Sequence, residues 1–354
     1  MKLEVINRLK GDEVLGKNIF TNDGRVLLRA GTKLISSYIN KMQEMGVFYV
    51  YVEDDRLDDV QVEDENISRL KQTTLESMSK MMKNVGMISD KKGMSEYVKT
   101  VEELIDYIAR DADINKSLYD IQTSSNLTYV HSIDVCIMAT FIGHAMKMDT
   151  LTTRELGLAA ILHDIGKTQL PKNIIDKNGQ QMTKEELQQY KEHPYLGAMM
   201  LKKNVRISEA TLKGVQYHHE RVDGKGYPYG MEGKSIPKFA RIICVSDVYD
   251  TITNSKDYKK AFSPNDAYEL ILAGSGTIFD EEVVQVFRNA FSVYPLGCCV
   301  KLSNGVEGYV VRQNPNFPDR PVIRVIYDVN TKQDIQPYEI DLVSSINLVI
   351  TSLV

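Results

Sequence analysis

The chain has no tryptophan among its 354 residues, only four cysteines, and no large excess of charge of either sign. Each shortage narrows what it can be. Its 43 lysines and arginines stand against 48 aspartates and glutamates, a formal net charge of -5, so no global field draws it to nucleic acid polymers or anionic membrane. An anionic substrate has to be attracted locally, by basic residues placed at a site. Cys136, Cys244, Cys298 and Cys299 form no CxxC pair, and adjacent cysteines rarely bridge each other. They read as buried small apolar groups of a reduced, cytoplasmic protein. Long apolar runs are missing too. The longest, Val135 to Met146, is interrupted by Thr140, Gly143 and His144 and is too short to span a bilayer. Met1 to Arg8 mixes charged and apolar residues and does not read as a signal peptide. With 43% hydrophobic residues, the length predicts two or three domains with at least one sizeable core.

What is present is concentrated. All six histidines lie between His131 and His219, and two of the clusters are His163-Asp164 and His218-His219-Glu220. A lone histidine reads as a surface or hydrogen-bonded residue. Random placement would scatter six over the whole length, so the set reads as a metal site. Imidazole nitrogens and carboxylate oxygens together suit divalent transition metals, and a carboxylate beside a histidine can bridge two ions while the histidine holds one.

Segments of different texture surround this cluster. Lys17 to Phe20 and Val26 to Arg29 read as strands around the turn signal Asn22-Asp23-Gly24, and Val47 to Val52 as a closing strand. Ser36 or Ser37 is placed to cap a short helix with Ile39, Met42 and Met45 on one face. Residues 1–60 therefore read as a small α/β domain. The acidic run DDRLDDVQVEDE before Ile67 reads as a solvated boundary. Apolar residues at helical spacing, from Ile67 to Met82 and from Tyr97 to Ile108, predict a helical connector over residues 61–111. Met78, Met81, Met82, Met87 and Met94 are its expected packing residues. Residues 112–292 show helical periods broken by glycine and proline turns and predict an all-helical core domain. From residue 293 the texture changes to alternation: Val300 and Leu302, the turn Ser303-Asn304-Gly305, Tyr309-Val310-Val311, and Val322 to Tyr327. Pro315, Pro318 and Pro321 read as loops between these strands, in a small β-domain over residues 293–354 with a structural or interaction role. The fold class is mainly α.

The chemistry lies in the middle domain. In LGLAAILHDIGK the apolar positions mark a buried helix, so His163 and Asp164 should be buried, and a metal satisfies both. Lys167 follows at a spacing that puts its ammonium over the same site, where an anion, naturally a phosphate, should lie between it and the metal. His131, His193, His218, His219 and Asp247 are the further ligand candidates. With His163 and Asp164 they make seven ligands, enough for two ions sharing the Asp164 carboxylate, an arrangement that activates a bridging water on a phosphodiester. His144 falls in an apolar run and is assigned to packing. In HHERVDGKGYPYG, Gly224 and Gly226 allow close backbone approach, Arg221 and Lys225 bring positive charge, and Tyr227-Pro228 makes a rigid aromatic ledge suited to a nucleotide.

These residues carry a resemblance. His163-Asp164-Ile165-Gly166-Lys167 resembles the HD motif of metal-dependent phosphohydrolases, and HHERVDGKGYP at 218–228 is similar to the signature of the HD-GYP family. SDVYDTIT at 246–253 and GSGTIFDEEVV at 274–284 follow in the family's order. The resemblance covers about residues 119–292 and implies a bacterial phosphodiesterase hydrolysing cyclic di-GMP or the related mixed cyclic dinucleotide through a binuclear metal centre. It implies metal ligation by His131, His163, Asp164, His193, His218, His219 and Asp247, with iron or manganese as the ions. Lys167 would contact the scissile phosphate, and Arg221, Asp223, Lys225, Gly226 and Tyr227 would shape the substrate loop. Two departures stand out. Some relatives take a third ion through a glutamate four residues before the first histidine; here that position is Leu127, so two ions are expected. NSKDYKKAFS replaces an arginine-containing motif with Lys256, Lys259 and Lys260, which keep the charge but lose bidentate phosphate recognition. An HD phosphohydrolase acting on another nucleotide and an inactive module that only binds cyclic di-GMP or a protein are the alternatives. Partners of the terminal domains and a homodimer stay open.

Overall fold

The computed structural model describes residues 1–21, 25–45, 47, 49–83, 91–111, 127–177, 181–203, 207–253, 264–315 and 317–354. At the N-terminus β1 (Lys2–Val5), β2 (Ile19–Phe20), β3 (Val26–Leu28), α1 (Ser36–Glu44) and β4 (Tyr49–Val52) form a small unit in which β1 pairs antiparallel with β4 and β2 with β3. Leu15, Ile19, Leu34, Met42 and Val50 close its core. β2, β3, β4 and α1 fall within the segments the sequence predicts, whereas the strand β1 lies outside them; Ile39 and Met42 are buried on the inner face of α1. Ser36 is the first helical residue rather than a cap; Ile35 holds the cap position and makes no side-chain bond. The turn at 22–24 lies outside the described residues.

The acidic run is not a solvated boundary. Leu57, Val60 and Val62 are buried, because the apolar residues set among its carboxylates give it an inner face. Its charges meet the far end of the chain: Asp59 receives both terminal nitrogens of Arg324 at 2.6 Å, and Arg56 donates to the Tyr309 hydroxyl at 3.0 Å.

Two long helices follow, α2 (Glu65–Lys83) and α3 (Lys91–Asp111), then α4 (Leu127–Ala145) and α5 (Thr150–Leu162). Val101, Leu104 and Ile105 of α3 share one core with Ile133 and Ile137 of α4 and Leu156 and Ile161 of α5, so the connector is part of the helical body. Met78, Met81 and Met94 are buried as expected; Met87 lies outside the described residues, as does the side chain of Met82. The Asp149 carboxylate starts α5 by accepting from the Thr152 amide at 3.0 Å. His144 does not pack: in the last turn of α4 it is exposed, one residue past the buried Ile142-Gly143 side of the helix.

The helical body continues through α6 (Lys172–Ile175), α7 (Lys184–Tyr190), α8 (His193–Leu201), α9 (Glu209–Tyr217), α10 (Lys238–Thr253), α11 (Pro264–Ala273) and α12 (Glu281–Ala290). Most of α10 is buried on all sides, which makes it the central strut. The chain ends in an antiparallel sheet of β5 (Cys299–Leu302), β6 (Val306–Asn314), β7 (Phe317–Asp328), β8 (Gln333–Asp341) and β9 (Ile350–Leu353), ordered β8-β7-β6-β5-β9. Pro318 and Pro321 lie inside β7 rather than in loops; the ladder shifts register opposite them, between Arg312 and Asn314, where a missing N–H is tolerated. All four cysteines are free thiols, three of them buried and Cys299 half-buried. Among the described residues no helix is long and apolar enough to cross a membrane.

Candidate metal centre

Five segments deliver the predicted residues to one place. His131 stands in the second turn of α4, His163 at the C-cap of α5, His193 at the start of α8, His218 at the C-cap of α9 with His219 next to it, and Asp247 in the middle of α10. Asp164 opens a short 3-10 turn, Ile165–Gln169, which brings Lys167 back over it.

The histidines meet in two pairs. His131 Nε2 lies 3.3 Å from His163 Nε2, and His193 Nε2 lies 3.4 Å from His218 Nε2. Their other ring nitrogens are committed. Nδ1 of His163, His193 and His218 donates to the carbonyls of Ala160, Tyr190 and Val215, each at 2.7 Å. A carbonyl only accepts, so each of these rings carries its hydrogen on Nδ1 and turns a lone pair at Nε2 toward its neighbour. Two facing lone pairs repel unless a cation lies with them. His131 Nδ1 is held instead by the Asp250 carboxylate at 2.7 Å.

One carboxylate joins the pairs. Asp164 Oδ2 lies 3.4 Å from His163 Nε2 and 3.9 Å from His131 Nε2, while Oδ1 lies 3.2 Å from His193 Nε2 and 3.9 Å from His218 Nε2. Asp247 Oδ1 sits 3.2 Å from His131 Nε2, and its Oδ2 is 3.6 Å from His219 Nδ1. Buried Asp164 Oδ1 and His219 Nε2 have no hydrogen-bond partner. Buried acceptors of this kind, carboxylate oxygen and imidazole nitrogen, fit a cation as their common partner. Ligand atoms within 4.8 Å of one another come from Asp164, His193, His218 and His219; from His131, His163 and Asp164; and from His163, His218 and Asp247.

Electrostatics favours the same forms. Burial holds His218 well below the usual imidazole range and pushes His219 down to about 3, so both are neutral. Burial also opposes charge on His131, but its hydrogen bonds to Asp247 and Asp250 win and raise it to about 10. Asp164 stays ionised despite burial, held well below the carboxylate range chiefly by the Lys167 ammonium. Asp247 is likewise lowered against its burial, by the His131 hydrogen bond. Neutral His218 and His219 and the ionised aspartates are thus in the forms that ligate metal, whereas His131, protonated between Asp247 and Asp250, would give up its proton to a bound ion.

Lys167 Nζ sits 2.5 Å from Asp164 Oδ2 and 5.3 Å over the Tyr190 ring. The anion beside this ammonium is thus Asp164 itself. In the loop after His219, Arg221 makes a two-pronged ion pair with Asp223, at 2.6 and 3.1 Å, and Asp223 also accepts the Lys225 amide at 3.1 Å. The Lys225 side chain is exposed. A Cβ on Gly226 would lie 2.4 Å from the Arg221 amide nitrogen and 2.6 Å from the His219 carbonyl, so only glycine lets the loop fold back here. The Tyr227 ring stacks on His219 at 4.6 Å, with Lys191 Nζ 5.3 Å over it. Rather than an open ledge, Tyr227 is a clamp on His219.

Sequence reasoning missed three contributors. Asp250 orients His131; its signal was its place one turn after Asp247 on α10. Glu220, buried beside the histidine pair, accepts the Tyr229 and Met231 amides at 2.7 and 3.0 Å and ties down the loop. Tyr190 had no signal. The motif at Lys256, Lys259 and Lys260, and the Leu127 side chain, lie outside the described residues.

Gly166 sets how closely the HD turn approaches α8. A Cβ there would fall 1.9 Å from the His193 carbonyl oxygen, a backbone atom that cannot swing aside. Gly166→Ala is expected to lose about 3 kcal/mol in denaturant unfolding, the upper range for overpacking, and to lower metal uptake. An unchanged midpoint with full metal content would show that the two backbones are not locked together.

Residues 84–283 match the family model of the HD domain, and residues 299–354 match the KOW domain associated with HD domain. A cyclic di-GMP phosphodiesterase of Pseudomonas aeruginosa is 34% identical over 242 residues, 68% of this chain and 58% of that one. Another, of Borreliella burgdorferi, is 29% identical over 198 residues, 55% of this chain and 52% of that one. The chain thus spans little more than half the length of these curated relatives. The solved structure of Bd1817, a HDG"Y"P protein from Bdellovibrio bacteriovorus, shares the fold with a TM-score of 0.55 at 17% identity, over 80% of this chain and 97% of that one. The HD match covers more than half of the chain and contains every histidine and aspartate of the paired centre, and so this chain belongs to the HD domain family.

Proposed function

We propose that this chain is a metal-dependent phosphodiesterase that hydrolyses cyclic di-GMP or a related cyclic dinucleotide. The observation that carries this reading is the pairing of Nε2 lone pairs, one pair to each oxygen of Asp164. His131, His163, Asp247 and Asp164 Oδ2 would hold one divalent ion; His193, His218, His219 and Asp164 Oδ1 would hold a second. The third group of donor atoms reuses His163 and His218, so among the described residues it offers no independent third site. Iron and manganese suit this donor set. When bound, such a pair supplies an activated water and neutralises charge on a phosphodiester.

The chain's own residues do the rest. Asp164 fixes the separation of the two sites through one rigid carboxylate. Lys167 places an ammonium at the edge of the centre, where it answers the charge that develops on a phosphate oxygen. Asp250 holds His131 and Tyr227 holds His219, so neither ring has to be ordered when substrate arrives. Arg221, fixed by Asp223, and Lys225 give the loop its positive charge toward an anionic ligand. The relatives named as cyclic di-GMP phosphodiesterases support this substrate class.

The test is turnover on protein loaded anaerobically with iron or manganese, offered cyclic di-GMP, the mixed cyclic dinucleotide and unrelated nucleotides, with product identification. Release of linear dinucleotide or GMP, abolished by a chelator, is expected. Binding without turnover would make the chain a cyclic dinucleotide reader, and turnover of only an unrelated nucleotide would make it a different phosphohydrolase.

A further inference from the structure

Asp164 Oδ2 has two claims on it. It accepts from the Lys167 ammonium at 2.5 Å, and it is the oxygen that faces the His131–His163 pair. An ammonium and a divalent ion cannot share one carboxylate oxygen without strong repulsion in a buried pocket. A cation bound at that pair therefore pushes Lys167 off Asp164, and the ammonium needs a second resting place. Tyr190 is the neighbour that provides one. Its ring face lies 5.3 Å under Nζ. The residue is fixed from both sides: it ends α7, its carbonyl accepts from His193 Nδ1 at 2.7 Å, and its ring packs against the His193 ring at 5.2 Å.

We propose that Tyr190 is the positioning residue of Lys167, holding the ammonium over the centre through its ring face once Asp164 is committed to metal. Resting on the reading above for its catalytic consequence, this assigns Lys167 two positions. One is on Asp164, where its charge pairs with the carboxylate; the other is on Tyr190, turned toward an incoming phosphate oxygen. A tyrosine suits the second position because its quadrupole attracts a cation without neutralising it, leaving the charge available to substrate.

The first test uses metal alone. Mn(II) affinity, measured by titration calorimetry, should be about tenfold weaker in Tyr190→Leu, the low end for loss of an outer partner, because Lys167 then has nowhere to go but Asp164. In Tyr190→Leu/Lys167→Met the competition is gone, and affinity should return to that of Lys167→Met alone. Tyr190→Phe, which keeps the ring face and the backbone carbonyl, should stay near wild type, and Tyr190→Met with its own Lys167→Met cycle carries the test if the leucine variant does not fold. The second readout is turnover of cyclic di-GMP by Mn(II)-saturated protein, where Tyr190→Leu should lower kcat about tenfold with KM little changed. Mn(II) affinity unaltered in Tyr190→Leu, or a loss that persists undiminished without Lys167, would overturn the proposal and leave Tyr190 as a support of His193. Absence of turnover in the wild-type protein would sink the phosphodiesterase reading while leaving the calorimetric arm standing.

Discussion

Replacing Asp164 by alanine is expected to lower turnover by about a thousandfold or more and to strip metal from the protein. The carboxylate presents one oxygen to each histidine pair, so its loss removes a ligand from both sites at once and leaves the imidazoles around a cavity with no central negative charge. A metal pair is worth several kcal/mol to a developing phosphodiester charge, and about 4 kcal/mol corresponds to three orders of magnitude in rate. Elemental analysis should find two ions per wild-type chain and fewer than one in Asp164→Ala. The fold should survive, since the helices that deliver the site are held together by an apolar core that Asp164 is not part of. Full activity in a well-folded Asp164→Ala protein would end the catalytic reading.

Most of this centre was legible before any coordinates, and the reason is chemical. Six histidines crowded into the 89 positions from His131 to His219 of an otherwise mixed chain have few purposes, and the apolar periods around His163 and Asp247 said that both would be buried. Burial without a partner is costly, so a shared cation followed. What the sequence did not show are contacts that depend on how helices cross. Tyr190 reaches Lys167 only because Gly166 lets the HD turn press against the His193 carbonyl, and no local pattern announces that approach. Tyr227 read as an open aromatic ledge because its stacking partner, His219, is eight residues away along a folded loop. The acidic run misled for a related reason: charge density suggested solvent, while Leu57 and Val60, and the arginines of a sheet 265 residues further on, decided its place. His144 misled in the opposite direction, since an apolar run still has one outward face.

Lys167→Ala separates positioning from metal binding. Removing the side chain leaves every proposed ligand in place and frees Asp164 Oδ2 from the 2.5 Å ion pair that occupies it. Metal affinity should therefore be equal to wild type or tighter, with two ions retained. Turnover should nonetheless fall by about 10² to 10³, the effect of deleting one preorganised donor from a developing oxyanion, equivalent to roughly 2.7–4 kcal/mol. The loss should appear chiefly in kcat, because a charge that strengthens its hold as the phosphate becomes more negative acts more on the transition state than on bound substrate. Lys167→Arg should recover only part of the rate: the guanidinium keeps the charge, but its planar fork does not fit a pocket shaped for a compact ammonium between a carboxylate and the Tyr190 ring. The deciding measurement is metal content alongside kcat on the same preparations. If metal falls in step with turnover, Lys167 supports the ligands rather than the substrate, and the role given to it here is wrong.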